Sequence, residues 1–298
     1  MTHTKLVERL FGSDVEKYFT NKQTGGNSNQ KGSRYEDFFS VMQLAQLFQL
    51  LTNDDDKGDI EIYAQAEAFV DDLLIKFQEH NIQHHFQLKT SSTVSWGNDL
   101  KSISDDFYKQ KVLNDNLGID ITRTVLVCSN KEKAARLQKN IPDNIADFSD
   151  IIFFPEADTI NHLILIDDEF KTLIGRICFS NDIDKLEALA MLILGHWVNK
   201  KTTMTSVNEL LSSLENSFPN YLARLNVTGN LLPEVERIFS TITNFSFKIE
   251  KGYFSWQYHD FDSGTIPYSV DSKEFIAFQQ EITSKCPRQF GELEGILL

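Results

Sequence analysis

Apolar residues along this chain recur at two spacings, and their alternation predicts an α/β fold. Between about Tyr35 and Leu51, Phe38, Phe39, Met42, Leu44, Ala45, Leu47 and Phe48 fall at helical spacing and make a wide apolar face. Ser33, with Glu36 three residues on, reads as a capping box at its start. The stretch before it, Thr24 to Ser33 (TGGNSNQKGS), is polar and glycine-bearing and reads as a loop. Asn53 to Asp59 (NDDDKGD) ends the helical pattern in an exposed turn.

Beyond Ile60 the pattern becomes strand-like, most clearly from Ala68 to Phe77. Gln78-Glu79-His80-Asn81 forms a turn, without glycine, and His84 to Thr90 returns as the second strand of a hairpin. Asp99 to Leu117 is again helical, and Arg123 to Cys128 (RTVLVC) is a short buried strand. Lys131 to Lys139 is a small helix, and Ile151 to Phe154 a further strand stopped by Pro155. Helix, hairpin, helix, strand, helix, strand predicts a mixed sheet flanked by helices. After about residue 158 the pattern is mainly helical, including Ile183 to Lys200 and Ser206 to Leu214. Phe245 to Tyr258 (FSFKIEKGYFSWQY) then alternates as a second hairpin about Lys251-Gly252, and a helix from Ser272 to Ile282 follows. The expected division is therefore 1–158 for the α/β domain and 159–298 for a helical region carrying a hairpin.

Composition narrows the class. Three scattered cysteines without a CxxC pair exclude a zinc ribbon or disulfide framework and suit a reducing cytoplasm. The first residues lack the charged and apolar regions of a signal peptide, and no apolar run is long enough to span a bilayer, so a soluble cytoplasmic protein without a membrane partner is expected. The formal charge of −14 is informative. Proteins that grip long nucleic acids unaided usually carry a basic excess. This chain must gather its cations in one cleft, borrow them from another subunit, or bind something else.

The chemistry centres on the first hairpin. Along Phe86-Gln87-Leu88-Lys89 the apolar residues share one face and the polar Gln87 and Lys89 the other, where they need partners. Asp72, at the head of the adjacent strand, supplies one. An acid, an intervening hairpin, then an oxygen donor and a lysine two residues apart is a metal-dependent phosphodiesterase arrangement. Mg²⁺ takes hard oxygen ligands, the ion acidifies water and offsets phosphoryl charge, and the lysine aids both tasks. Glu36 on the preceding helix is the natural third ligand. Two carboxylates about 4 Å apart repel by roughly 4 kcal/mol at an effective dielectric near 20. One of them should therefore be harder to ionise.

Taken together, Gly25-Gly26, Gly32-Ser33-Arg34-Tyr35-Glu36, Val70-Asp71-Asp72-Leu73-Leu74 and Phe86-Gln87-Leu88-Lys89 resemble the QxK branch of the PD-(D/E)xK nuclease superfamily. The resemblance covers roughly residues 20–160 and is nearest to the double-stranded-DNA endonuclease domains of bacterial antiviral systems. It implies a restriction-endonuclease-like mixed sheet, with Asp72, Gln87 and Glu36 holding Mg²⁺ or Mn²⁺ and Lys89 as the catalytic lysine. Asp71 is the alternative ligand; Asp72 is preferred because the family's acid sits immediately before the apolar strand run. The implied partner is DNA, double-stranded by preference. The acidic charge adds a further subunit, such as an ATPase or another DNA-binding protein, that delivers it, and cutting both strands in one encounter would require a second active site, hence a second copy. The departure from expectation is the acidic charge.

Other features weigh less. Ser91 and Ser92, with Asp71, are candidate substrate contacts, although an ordinary loop explains the serines. His80, His84 and His85 surround the turn, but turn and strand geometry does not align them as a helix would, so surface histidines are expected. The aromatics of Phe245 to Tyr258 could stack on bases, yet strand spacing favours core packing. The Gly25–Gly32 loop lacks the GK[ST] of a phosphate-binding loop.

Overall fold

The computed structural model describes residues 3–25, 30–53, 58–91, 93–97, 99–201, 203–218, 220–224, 227, 229–259 and 262–297. These form two compact units, Met1–Leu173 with Ala190–Leu214, and Ile174–Leu189 with Glu215–Leu298. The division thus does not fall at 158/159, because later helical segments complete the first unit.

The elements of the first unit begin with α1 (His3–Phe11), α2 (Ser13–Gly25) and α3 (Gln30–Asn53). There follow β1 (Ile60–Ala64), β2 (Leu73–Phe77), β3 (Ile82–Lys89), α4 (Ile103–Asn116), β4 (Ile121–Cys128), α5 (Lys131–Gln138) and β5 (Ser149–Phe153). Next come α6 (Ile160–Ile166), α7 (Asp168–Ile177), α8 (Ile183–Lys200), β6 (Thr205–Ser206) and α9 (Val207–Ser217), of which α7, α8 and α9 each run across a division between the units. The sheet order is β5-β4-β3-β2-β1-β6; β1, β2 and β3 are antiparallel neighbours, while β4 and β5 run parallel to β3. The mixed α/β class expected from the pattern is therefore present.

Two expectations at the start of this core need correction. Gln30 to Ser33 lie within α3, so Ser33 is not an N-cap, and Gly25 closes α2; residues 26–29 of the expected loop lie outside the described residues. Ala68 to Asp72 are not strand but an irregular loop, and the partner of β2 on its other side is β1. The glycine-free turn is made by Asn81, which adopts φ 50° and donates from Nδ2 to the Gly118 carbonyl at 2.7 Å. Asparagine tolerates the left-handed region better than most side chains, so glycine is dispensable there.

Helix α3 is apolar on most of its surface from Phe38 to Leu51 and is correspondingly buried. Its Phe39 ring meets Phe86 of β3 and Phe154, both at 5.4 Å between centroids. On α4, Gln110 and Asn114 are buried, and they fix the 66–72 loop that carries the acids. Gln110 Oε1 accepts from the Phe69 and Val70 amides at 2.8 and 3.3 Å, and Gln110 Nε2 donates to Asn114 Oδ1 at 2.9 Å. His85 Nδ1 lies 3.2 Å from the Val70 carbonyl, and Asn114 Nδ2 lies 3.1 Å from His85 Nε2. The tautomer protonated on Nδ1 donates to the Val70 carbonyl and leaves Nε2 to accept from Asn114, while the Gln83 side chain also lies 3.1 Å from Nε2. Burial lowers the His85 pKa to about 3 and keeps the ring neutral. His85 is thus an interior strut, not a surface histidine.

The second unit adds α10 (Pro233–Thr241), β7 (Phe245–Glu250), β8 (Tyr253–Tyr258), β9 (Asp262–Ser269), α11 (Lys273–Lys285) and α12 (Phe290–Leu297). The expected hairpin is β7–β8, with Lys251 and Gly252 at φ 54° and 79° in its turn; β9 extends it to three strands in the order β7-β8-β9. Its aromatics fill a core: Phe239 packs on Phe245, Phe247 and Phe254, and Trp256 on Phe290. Among the described residues no helix is long and apolar enough to cross a membrane.

Candidate functional site

The last pair of the β2–β3 ladder is Leu73 with Phe86. One step beyond it, Asp72 faces Gln87 across the strand ends, as the hairpin spacing requires. Asp72 is buried, and its Oδ2 accepts from Gln87 Nε2 and from the Leu88 backbone amide, the latter at 2.7 Å. The carboxylate takes the place of a ladder rung where β2 has not yet begun. Because a carboxylate only accepts, the amide of Gln87 presents NH₂ to it, and Oε1 is the atom of Gln87 able to ligate a cation.

Asp71 is also buried, but it holds the loop by its main chain: its carbonyl accepts from the Ala66 amide at 3.0 Å. The Asp72 carbonyl accepts from the Gln65 amide at 3.3 Å. Of the two acids, Asp72 is the one that meets Gln87 and whose charge acts on Glu36.

Glu36 projects from α3. Its pKa is raised to about 7, first by burial and then by the negative charge of Asp72, with Asp37 adding to the rise. A hydrogen bond from Gln65 and the charge of Lys89 oppose the shift. The repulsion expected between two site carboxylates therefore falls on Glu36. Lys89 ends β3, half-buried, so Asp72, Gln87 and Lys89 are gathered where the interior strands β2 and β3 meet, at the start of one and the end of the other. Glu36 is close enough to feel the charges of Asp72 and Lys89. Ser91 is exposed and bonded locally, its Oγ 2.8 Å from Thr93 Oγ1; Ser92 lies outside the described residues.

Two features lay beyond the reach of the sequence. Gln65, at the bend after β1, donates from Nε2 to Glu36 Oε2 at 3.1 Å, and its Oε1 is buried without a donor among the described residues. Asp37, beside Glu36, is clamped by Lys201 Nζ at 2.7 and 2.9 Å and by Trp197 Nε1 at 3.2 Å. Lys201 Nζ also donates to Ser33 Oγ at 3.2 Å. This clamp sets the rotation and height of α3, and so of Glu36.

Among the described residues no three His, Cys, Asp or Glu side chains gather as a metal site. What gathers instead is two carboxylates with two side-chain amides, one of which has a buried oxygen lacking a donor. An oxygen-only set with two negative charges fits a hard divalent cation better than a transition metal. No family model, curated protein or solved structure matches this chain.

Proposed function

We propose that the first unit is a divalent-metal-dependent endonuclease acting on DNA, and that it serves a bacterial antiviral system with the help of a partner subunit. The observation that carries this reading is the convergence of Glu36 from α3 and Asp72 from the loop before β2 with Gln87 and Lys89 of β3. Glu36, Asp72 and Gln87 Oε1 would hold Mg²⁺ or Mn²⁺. The ion would supply acidified water and charge neutralisation at the phosphoryl oxygens. Lys89 orients the attacking water and adds a positive charge beside the scissile phosphate. The charge of Lys89 acts on Glu36, which places the lysine beside the site acids. The restriction-endonuclease-like resemblance of residues 20–160 supports the same assignment. The charge of −14 argues that DNA is delivered by another subunit, such as an ATPase.

A second reading has its own support. The Asp72–Gln87 pair is satisfied without an ion, as it would be in a binding subunit that keeps a nuclease fold. Plasmid cleavage with Mg²⁺ or Mn²⁺ separates the two readings, comparing wild type with Lys89→Ala and Asp72→Asn. Metal-dependent nicking that both substitutions abolish is the expected result. A wild-type chain that binds no Mn²⁺ and cuts nothing, alone or with its co-purifying subunit, would leave the binding subunit as the answer.

A further inference from the structure

We propose that Gln65 is a further oxygen ligand of the divalent ion, completing a set of two carboxylates and two neutral amides. The inference rests on the metal-dependent reading of this site. Gln65 adopts φ 52°, in the left-handed region that few residues other than glycine occupy. Strain of this kind persists only where surrounding structure enforces it, and it concentrates at functional sites. The enforcement is visible: the Gln65 amide donates to the Asp72 carbonyl at 3.3 Å, and its side chain reaches Glu36 at 3.1 Å. One residue therefore ties both site acids together.

Its remaining polar atom points to a ligand. Gln65 Oε1 is buried and has no donor among the described residues, an uncommon and costly condition for a carbonyl oxygen. The two heteroatoms of one amide lie about 2.2 Å apart, so Oε1 is within roughly 5.5 Å of the Glu36 oxygen that Nε2 contacts. A cation on Glu36 would give that lone pair a partner. Glu36 and Asp72 already match the charge of one divalent ion, so further ligands are best neutral, as an amide oxygen is.

The test is Mn²⁺ binding to the full chain, followed by the electron paramagnetic resonance of free Mn²⁺. The variants are Gln65→Met, Gln65→Gly, Gln65→Glu and Asp72→Asn. Gln65→Gly suits the positive φ, so a folded variant without the amide is at hand should Gln65→Met prove unstable. Both should weaken Mn²⁺ binding by on the order of 10- to 100-fold. Gln65→Glu separates a ligand from a mere anchor for Glu36. A carboxylate ligand holds Mn²⁺ at least as tightly as the wild type, whereas a carboxylate that only faces Glu36 repels it and weakens binding. Wild-type binding lost in Asp72→Asn but unchanged in Gln65→Met and Gln65→Gly overturns the role of Gln65 alone, as does weakened binding in Gln65→Glu. No Mn²⁺ binding by the wild type overturns the metal-dependent reading and this inference with it.

Discussion

Replacing Glu36 by glutamine should stabilise the first unit at alkaline pH while removing a residue the site needs. Burial and Asp72 raise the Glu36 pKa from 4.5 to about 7. The folded chain therefore holds this proton more tightly than the unfolded one. The resulting stabilisation is complete below pH 4.5 and is lost as pH rises through 7. At 1.36 kcal/mol per unit the shift corresponds to about 3 kcal/mol, which solvent screening of a half-buried group reduces to roughly 2. Glutamine carries no charge at any pH and can keep an oxygen toward Gln65 Nε2. Glu36→Gln should thus match wild type near pH 4.5 and exceed it by about 2 kcal/mol at pH 8. For a unit of roughly 200 residues that is a rise in Tm of about 4–8 °C. Calorimetry of both proteins at pH 4.5 and pH 8 measures it. A difference of the same size at both pH values, or a larger one at pH 4.5, would refute the electrostatic account of this site. Cleavage should be lost in the stabilised variant, since relief of repulsion and loss of function share one carboxylate.

Three further outcomes follow from the geometry. Asp72→Ala strands the Leu88 amide and the Gln87 NH₂ and should cost the first unit about 2–4 kcal/mol, whereas Asp72→Asn keeps an acceptor and should cost under about 1; urea unfolding distinguishes them. His85 is held neutral with its pKa lowered to about 3, so it contributes stability above its unfolded value of 6.5 that is lost as pH falls toward 3. Acid titration of circular dichroism should show that loss, and His85→Gln should flatten it between those limits. Gly264 lies opposite Trp256, and a Cβ there would meet the indole at 2.9 Å. Gly264→Ala should destabilise the second unit by about 1–3 kcal/mol in calorimetry and leave any cleavage unchanged.

A short-range rule makes an element legible; legibility is lost where local composition points the other way or where the deciding partner lies far along the chain. The α3 helix and the β2–β3 hairpin follow from periodicity, and the Asp72–Gln87 juxtaposition follows from hairpin counting across fifteen residues. The first turn of α3 is not legible because a polar stretch with glycines resembles a loop. Strand β9 is masked in the sequence because Gly264 and Pro267 argue against a strand, yet an edge position needs neither a full set of amides nor bulky side chains. Gln65 carries no local signal: its φ and its stranded oxygen are tertiary facts. The Asp37–Lys201 pair joins residues 164 apart, beyond any spacing rule.

That last pair bears on the order of biosynthesis. The clamp on α3 and the short strand β6, which covers the outer edge of β1, both come from the stretch between Trp197 and Ser206. A nascent chain that has completed β3 already carries every acid, amide and lysine of the candidate site, but the Lys201–Asp37 clamp on α3 is not yet made and β1 is still an open edge. Assembly of the site waits for a segment translated much later. Partly synthesised or truncated chains ending near residue 158 lack both the Lys201–Asp37 clamp and the β6 cover of β1.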